Sequence, residues 1–372
     1  MYDAIVVGAR CAGAPTAMLL ARAGHNVLLL DRDEFPSDIM STHFIHLAGI
    51  VRLQRWGLLD RLKETGVPAI PKNNLHADGL LISPPPIPMP GGIPSEAICP
   101  RRYILDKILV DAAVEAGAEL REGVSVRELI RDGDAVVGVR GQAKDKTPIE
   151  ERARIVIGAD GLHSIVAREV GAEEYDTRPT LTFGYYTYWS GVTDPEMHIW
   201  FFEDGHGILS FPTHDSLSCI AVGGAIEGFR EFREDIEGNY LAVIDRVPEL
   251  AREVRAGERK ERFIGTADQP NYFRVPYGPG WALVGDAGYH RDFITGLGIT
   301  DAFRDAEFVA QAVDAGLSGM RPMDEALAEY QTKRDTIAKP LYDFTIKMAS
   351  GTMPEAADWM SFGTTMMQMI HS

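Results

Sequence analysis

Residues 2–35 read YDAIVVGARCAGAPTAMLLARAGHNVLLLDRDEF, from Tyr2 to Phe35. AIVVG is a short run rich in β-branched residues, which suits a parallel strand buried on both faces. AGAPTAMLLARAG carries Ala and Leu at helical spacing and stops at Gly24, a residue type that ends helices. NVLLLD is a second strand, closing on Asp31. The order is strand, tight turn, helix, strand, acid. Gly8 permits the sharp turn out of the first strand, and Gly13 lets the helix approach the sheet. The helix N-terminus directs free N–H groups and a positive dipole end at a phosphate. Asp31, roughly 20 residues on, is placed to bind ribose hydroxyls. The fingerprint runs Gly8, Ala9, Arg10, Cys11, Ala12, Gly13, so Arg10 stands where a second glycine is expected. Its guanidinium either pairs with phosphate oxygens or leaves the turn for solvent. Cys11 has no base or partner thiol near it in sequence and reads as a small buried filler.

The rest of the composition narrows the function. The chain has 372 residues, 45% of them hydrophobic, enough for one large domain or two interleaved ones. A formal net charge of −17 opposes binding to nucleic acid or to an anionic membrane. Cys11, Cys99 and Cys219 are far apart and lack paired histidines, which argues against a zinc site or disulfide framework and fits a reducing compartment. The N-terminus has Asp3 in place of a basic leader and is not read as a signal peptide. No apolar run reaches the ~18 residues of a membrane span. A cytoplasmic protein is expected, with no metal and with its oligomeric state open.

Three further motifs follow in order. In CPRRYILDKILVDAAVEAGAEL (Cys99 to Leu120), Arg102 begins an R-x-x-L-D pattern at a helix start, where a cation is unfavourable unless it meets an anion. In ARIVIGADGLHSIVAREVG (Ala153 to Gly171), a strand turns at Asp160-Gly161 into a helix. In GPGWALVGDAGYHRDFITGLGITDAFRDAEFVAQAV (Gly278 to Val313), a strand ends at Gly285-Asp286 and a helix begins near Gly296-Leu297-Gly298. An acid at a strand end binds polyol hydroxyls, and glycines free a helix N-terminus to face negative charge.

The glycine fingerprint, Asp160-Gly161 with Ser164, and Gly285-Asp286 together resemble the para-hydroxybenzoate hydroxylase-type FAD monooxygenases and their relatives, the geranylgeranyl reductases. The resemblance spans roughly Met1 to Val313. It implies an α/β fold, in which a Rossmann-like FAD domain is interleaved with an antiparallel-sheet substrate domain. By analogy, Gly8 to Gly13 and Arg102 serve the FAD pyrophosphate, Asp31 the adenosine ribose, and Asp286 pyrophosphate or ribityl oxygens. The backbone around Gly296, Gly298 and Ile299 faces the pyrimidine edge of the flavin. Asp160 and Gly161 lie near the cofactor; Arg32, Thr42 and Val126 complete the set. Departures from the family pattern are Arg10, Asp31 where Glu is commoner, and Phe293 where a proline is usual. The implied chemistry is reduction of FAD by NADH or NADPH and reaction with O2 through a flavin C4a-hydroperoxide, hydroxylating an aromatic or polyketide-like molecule. An ene-reductase is the alternative, since Phe211, Pro212 and Gly223 partly match the reductase segment. A halogenase is disfavoured because no W-x-W-x-I-P segment is present, and a non-catalytic flavoprotein is the remaining class.

The FAD domain is expected in three pieces, 1–74, 100–171 and 278–319. Segments 75–99 and 172–277 form the substrate domain, and 320–372 a Met-rich helical tail for core or partner packing. The proline-rich stretch Ile82 to Pro94 reads as a stiff linker. His43 and His46, in STHFIH, are the candidate bases. Tyr186, Tyr188, His198 and Trp200, on alternating strands, together with Phe293, are the candidate pocket residues.

Overall fold

The computed structural model describes residues 1–77, 79–83 and 95–372; the proline-rich stretch from 84 to 94 lies outside the described residues. The opening segment folds as its pattern requires. Strand β1 (Tyr2–Val7) leads through the fingerprint into helix α1 (Gly13–Arg22) and then strand β2 (Val27–Leu30). All four residues of β2 are buried, as expected of a strand covered on both faces.

β1 is central to the first sheet. It pairs in parallel with β2 on one side and with Pro148–Gly158 on the other. Glu119–Arg121 extends the sheet beyond β2, and Trp281–Leu283 extends it beyond Pro148–Gly158, both in parallel. An antiparallel hairpin, Val124–Asp132 with Ala135–Ala143, joins this sheet at its far side. One face is covered by α1, by helix α2 (Leu47–Trp56), by the helix Arg102–Glu115 and by the late helix Gly298–Leu317. The hairpin and the short helix Ile165–Val170 pack on the other.

A second sheet forms a roof. Its strands run in the order Glu258–Arg259, Thr182–Ser190, Ser218–Ala225, Gly207–Pro212, Met197–Phe201, Asn73–Ala77, Leu80–Ile82. It departs from expectation in one pair: Met197–Phe201 runs parallel to Asn73–Ala77. That strand arrives from a distant part of the chain, so no hairpin sets its direction. Asn73 and Asn74 thus belong to the roof. Side chains alternate along Thr182–Ser190. Phe183, Tyr185 and Trp189 pack under an outer layer that includes Phe232, Tyr240 and Leu250. Tyr186 and Tyr188 turn inward beside Phe211 and Cys219.

A three-stranded sheet, Glu174–Arg178, Asn271–Arg274 and Tyr289–His290, lies between the roof and the first sheet in the chain path. The tail is helical, Met323–Ala349 and Ala356–His371. Met369 is buried against Ala48, Val51 and Leu341, whereas Met353 and Met360 are exposed.

Candidate active site

The strand ends of the first sheet and the inner face of the roof enclose a cavity of about 1530 Å³. That exceeds the ~300–1,000 Å³ of most small-molecule pockets, so a cofactor and a second molecule fit together. Open α/β sheets bind ligands at this position, beyond the carboxyl ends of parallel strands.

The fingerprint turn is a close-packed object. Gly8 has φ +99°, and a Cβ on it would lie 2.4 Å from the Ala159 carbonyl oxygen. A Cβ on Gly13 would lie 1.7 Å from the Gly8 oxygen. Gly8, Cys11 and Ala12 line the cavity, whereas Ala9 and Gly13 shape the turn behind it. The Ala9 N–H donates to Asp31 Oδ2 (2.6 Å) and the Asp33 N–H to Asp31 Oδ1 (2.8 Å). Burial pushes the Asp31 carboxyl up, and these two N–H groups oppose the shift. Asp31, Arg32, Thr42 and Val126 all line the cavity.

Arg10 takes neither expected course. Its Nη1 donates to Asp106 Oδ2 (2.8 Å), and its Nη2 to Asp33 Oδ2 (2.9 Å) and Ser37 Oγ (2.9 Å). Arg102 grips the same Asp106 bidentately, Nε to Oδ1 and Nη2 to Oδ2, each at 3.0 Å. The Cys11 thiol donates to Asp106 Oδ1 (3.4 Å), and burial pushes that thiol up, so Cys11 is a filler and no nucleophile. Asp106 thus gathers two cavity-lining guanidiniums at the fingerprint. It went unassigned in the sequence, although its i,i+4 spacing from Arg102 was legible.

Asp160 lines the cavity, but its oxygens are engaged by the Ser164 hydroxyl (2.6 Å) and the Ile165 N–H (2.6 Å) at the start of Ile165–Val170. Its first duty is helix capping. Gly161, at φ +77°, would place a Cβ in open space.

The late loop presents the second half of the site. Gly285, at φ +61°, turns the chain, and the exposed Asp286 carboxylate has no protein partner among the described residues. Gly296 and Ile299 line the cavity, as does Gly298, the first residue of the late helix; a Cβ on Gly298 would meet nothing within 4 Å. The helix N-terminus therefore opens onto free volume, which suits an electron-rich ring edge. Asp292 fixes the loop to the roof by accepting from the Thr182 hydroxyl (2.6 Å) and the Ile294 N–H (3.0 Å). Phe293 lies over Gly184, where a Cβ would come within 2.8 Å of its ring. A phenyl ring thus lines the cavity at the position where a proline is usual in the family pattern.

The candidate bases and pocket residues divide. Tyr186, Trp200 and Phe293 line the cavity; His43, His46, Tyr188 and His198 do not. His43 is fully buried, with its Nε2 2.6 Å from the Tyr188 hydroxyl. Burial, reinforced by the charges of Arg102 and Arg101, pushes it down to about 3. His46 Nε2 holds the Thr295 carbonyl (3.0 Å), and burial pushes it down to about 4. Both imidazoles are neutral near pH 7 and sit behind the wall, which corrects the expectation that one faces substrate directly. His198 turns away to His76 (2.9 Å) and Asp194 (3.1 Å). Its atoms come within 4.8 Å of those of Asp194 and Glu196, but Lys72 and Asn74 already engage Glu196, so the group is a polar network away from the cavity.

Replacing Asp286 by Ala should weaken FAD binding by about 1.5–3 kcal/mol, the scale of a hydrogen bond to a charged group. Titration of stripped protein with FAD checks this, and an unchanged affinity rejects the role of Asp286.

Residues 1–345 match the FAD binding domain family. Digeranylgeranylglycerophospholipid reductase 1 of Methanopyrus kandleri is 30% identical over 81% of this chain and 77% of its own length. A 1H-pyrrole-2-carbonyl-[peptidyl-carrier protein] brominase of Pseudoalteromonas luteoviolacea is 23% identical over 86% of this chain and 78% of its own. Among solved structures, the myxobacterial chondrochloren halogenase CndH superposes with a TM-score of 0.86 at 22% identity, over 99% of this chain and 89% of that one. P. aeruginosa PqsL in complex with 2-aminobenzoylacetate superposes with a TM-score of 0.82 at 21% identity, over the full length of both chains. At those identities the superpositions show the fold. No helix among the described residues is long and apolar enough to cross a membrane. With FAD the group that this cavity and family call for, the chain is an FAD-dependent oxidoreductase and belongs to the FAD-dependent monooxygenase and geranylgeranyl reductase superfamily.

Proposed function

We propose that the enzyme is a monooxygenase that takes electrons from NADH or NADPH and inserts one atom of O2 into an electron-rich aromatic or polyketide-like molecule. The observation that carries this reading is the cavity wall. Tyr186, Phe211 and Phe293 line the cavity, a surface suited to a flat ring, whereas Trp200 stacks on His198 and His76. FAD, when bound, supplies the redox chemistry, and the protein supplies position and electrostatics. Gly8, Arg102 and Asp286 hold its phosphate and sugar end, and Gly296 to Ile299 face its pyrimidine edge.

Polar reach into the wall supports a phenolic substrate. The Tyr186 ring stands edge-on to both Tyr188 and His43, with centroids 5.8 Å away in each case, and Tyr188 bonds His43. A phenolic hydroxyl beside Tyr186 would meet a buried line of hydroxyl and imidazole. His43, neutral at the end of that line, orients the tyrosines and is too weak a base to hold the substrate proton at rest.

The second reading is an ene-reductase. It is favoured by the 30% identity to the M. kandleri reductase and by the Phe211-Pro212 segment, whose Phe211 lines the cavity. Turnover with NADH or NADPH, under 18O2 and under nitrogen, across phenols and polyprenyl compounds separates the two. One labelled oxygen atom per product is expected, with no turnover under nitrogen. An unlabelled, saturated product formed anaerobically would award the chain to the reductase reading.

A further inference from the structure

Between the Gly285 loop and the late helix lies a pocket of unsatisfied polarity that the assignments above do not use. Arg291 follows the strand Tyr289–His290, is 7% exposed and lines the cavity. Its Nη2 donates to Asp301 Oδ2 at 2.5 Å, while its Nε and Nη1 have no partner among the described residues. Asp305 Oδ2 and the Tyr289 hydroxyl, also on the cavity lining, are buried and unpartnered as well. Buried guanidinium N–H groups are rarely left without an acceptor, because desolvation without compensation is costly.

The location gives these groups a meaning. Asp301 is in the first turn of the late helix, and an acid there faces the same N-terminus that opens at Gly298. A bare carboxylate in that turn would oppose any negative charge arriving at the helix end. Arg291 neutralises one Asp301 oxygen, and Arg304 Nη1 donates to the other at 2.7 Å. The unpartnered Nε and Nη1 of Arg291 are packed against protein, so its charge acts on this helix start through the Asp301 pair and across a short distance. Reduction adds negative charge to a flavin at its pyrimidine edge, so the potential at this helix end decides how strongly reduced FAD is preferred over oxidised FAD.

We infer that Arg291 is a positioning residue that tunes the bound flavin, holding the late-helix N-terminus positive by neutralising Asp301. This rests on the placement of the pyrimidine edge at Gly296 to Ile299. The test is the equilibrium reduction potential of the FAD-loaded protein against reference dyes, with FAD content measured in parallel, for Arg291→Met, Arg291→Lys and Asp301→Asn. Arg291→Met is expected to lower the preference for reduced FAD at least tenfold, about 30 mV for a two-electron couple. Arg291→Lys should recover most of that loss, and Asp301→Asn should raise the preference. A loaded Arg291→Met protein with an unchanged potential, beside a raised one in Asp301→Asn, overturns the role of Arg291 alone. Unchanged potentials in both overturn the placement of the flavin edge at this helix. If Arg291→Met does not fold, Arg291→Gln decides in its place, because it removes the charge and keeps a hydrogen-bond donor: a lowered preference for reduced FAD supports the role, and an unchanged potential overturns it.

Discussion

Gly13→Ala is expected to give a colourless, destabilised protein. The new Cβ would sit 1.7 Å from the Gly8 oxygen and 3.0 Å from the Ala159 Cβ. Gly8 cannot retreat, because its own Cα faces the Ala159 carbonyl and its φ of +99° belongs to glycine. The helix would therefore have to lift from the sheet, moving the N–H groups of the turn proposed to face the pyrophosphate. Overpacking of a well-packed site costs about 1–3 kcal/mol, and a backbone clash of this depth belongs at or above the top of that range. FAD content of the purified variant and its denaturant midpoint measure the two effects. Full FAD content at an unchanged midpoint would mean that the turn is far softer than its packing indicates.

Asp106→Leu is the second large effect. The carboxylate is completely buried and is shared by Arg10, Arg102 and Cys11. Removing it leaves two guanidiniums facing each other without their common anion. Removing one member of a buried ion pair costs about 3–5 kcal/mol, because the surviving charge remains desolvated. The loss should be largest in stripped protein and smaller with FAD in excess, since the pyrophosphate proposed to lie beside Arg102 would bring that guanidinium a replacement anion. Melting curves with and without FAD test this. A further Arg10→Gly substitution should recover part of the loss by removing one of the stranded charges. An Asp106→Leu protein as stable as the parent, with or without FAD, would reject the cluster as a source of stability.

The strand–helix–strand opening and the order of the three motifs were legible because they depend on short-range requirements. Gly8 and Gly13 answer to local backbone contacts, and Asp31 to its place at the end of a strand. The side-chain destinations were less legible. Arg10 resembled a phosphate ligand or a solvent group, but a carboxylate 96 positions away captured it, and only folding brings the two together. His43 and His46 follow a strand close to the cofactor region, yet the wall closes in front of them. At Tyr188 and His198 the period-2 pattern gave the strands but not which neighbours would cover each face. Arg291 was hidden for the opposite reason: it lies within a quoted motif, and its importance depends on Asp301, ten residues on, returning to meet it around the helix start.

The small linking sheet has a consequence for how such enzymes diversify. The chain enters the long roof excursion through Glu174–Arg178 and leaves it through Asn271–Arg274, and these two strands pair with each other, Glu174 opposite Arg274 and Tyr175 opposite Phe273. The departure and return points are thus clasped side by side, and the returning strand also pairs with Tyr289–His290, next to Arg291. The chain between 179 and 270 therefore leaves and returns at one clasped point, a neck, and Met197–Phe201 ties it to Asn73–Ala77 as well. A roof of different lining grafted at that neck leaves the register of the linking sheet in place and has to keep the parallel pair that Met197–Phe201 makes with Asn73–Ala77. If the roof selects substrate, as proposed, chimeras cut there should change substrate preference and leave FAD affinity where it was.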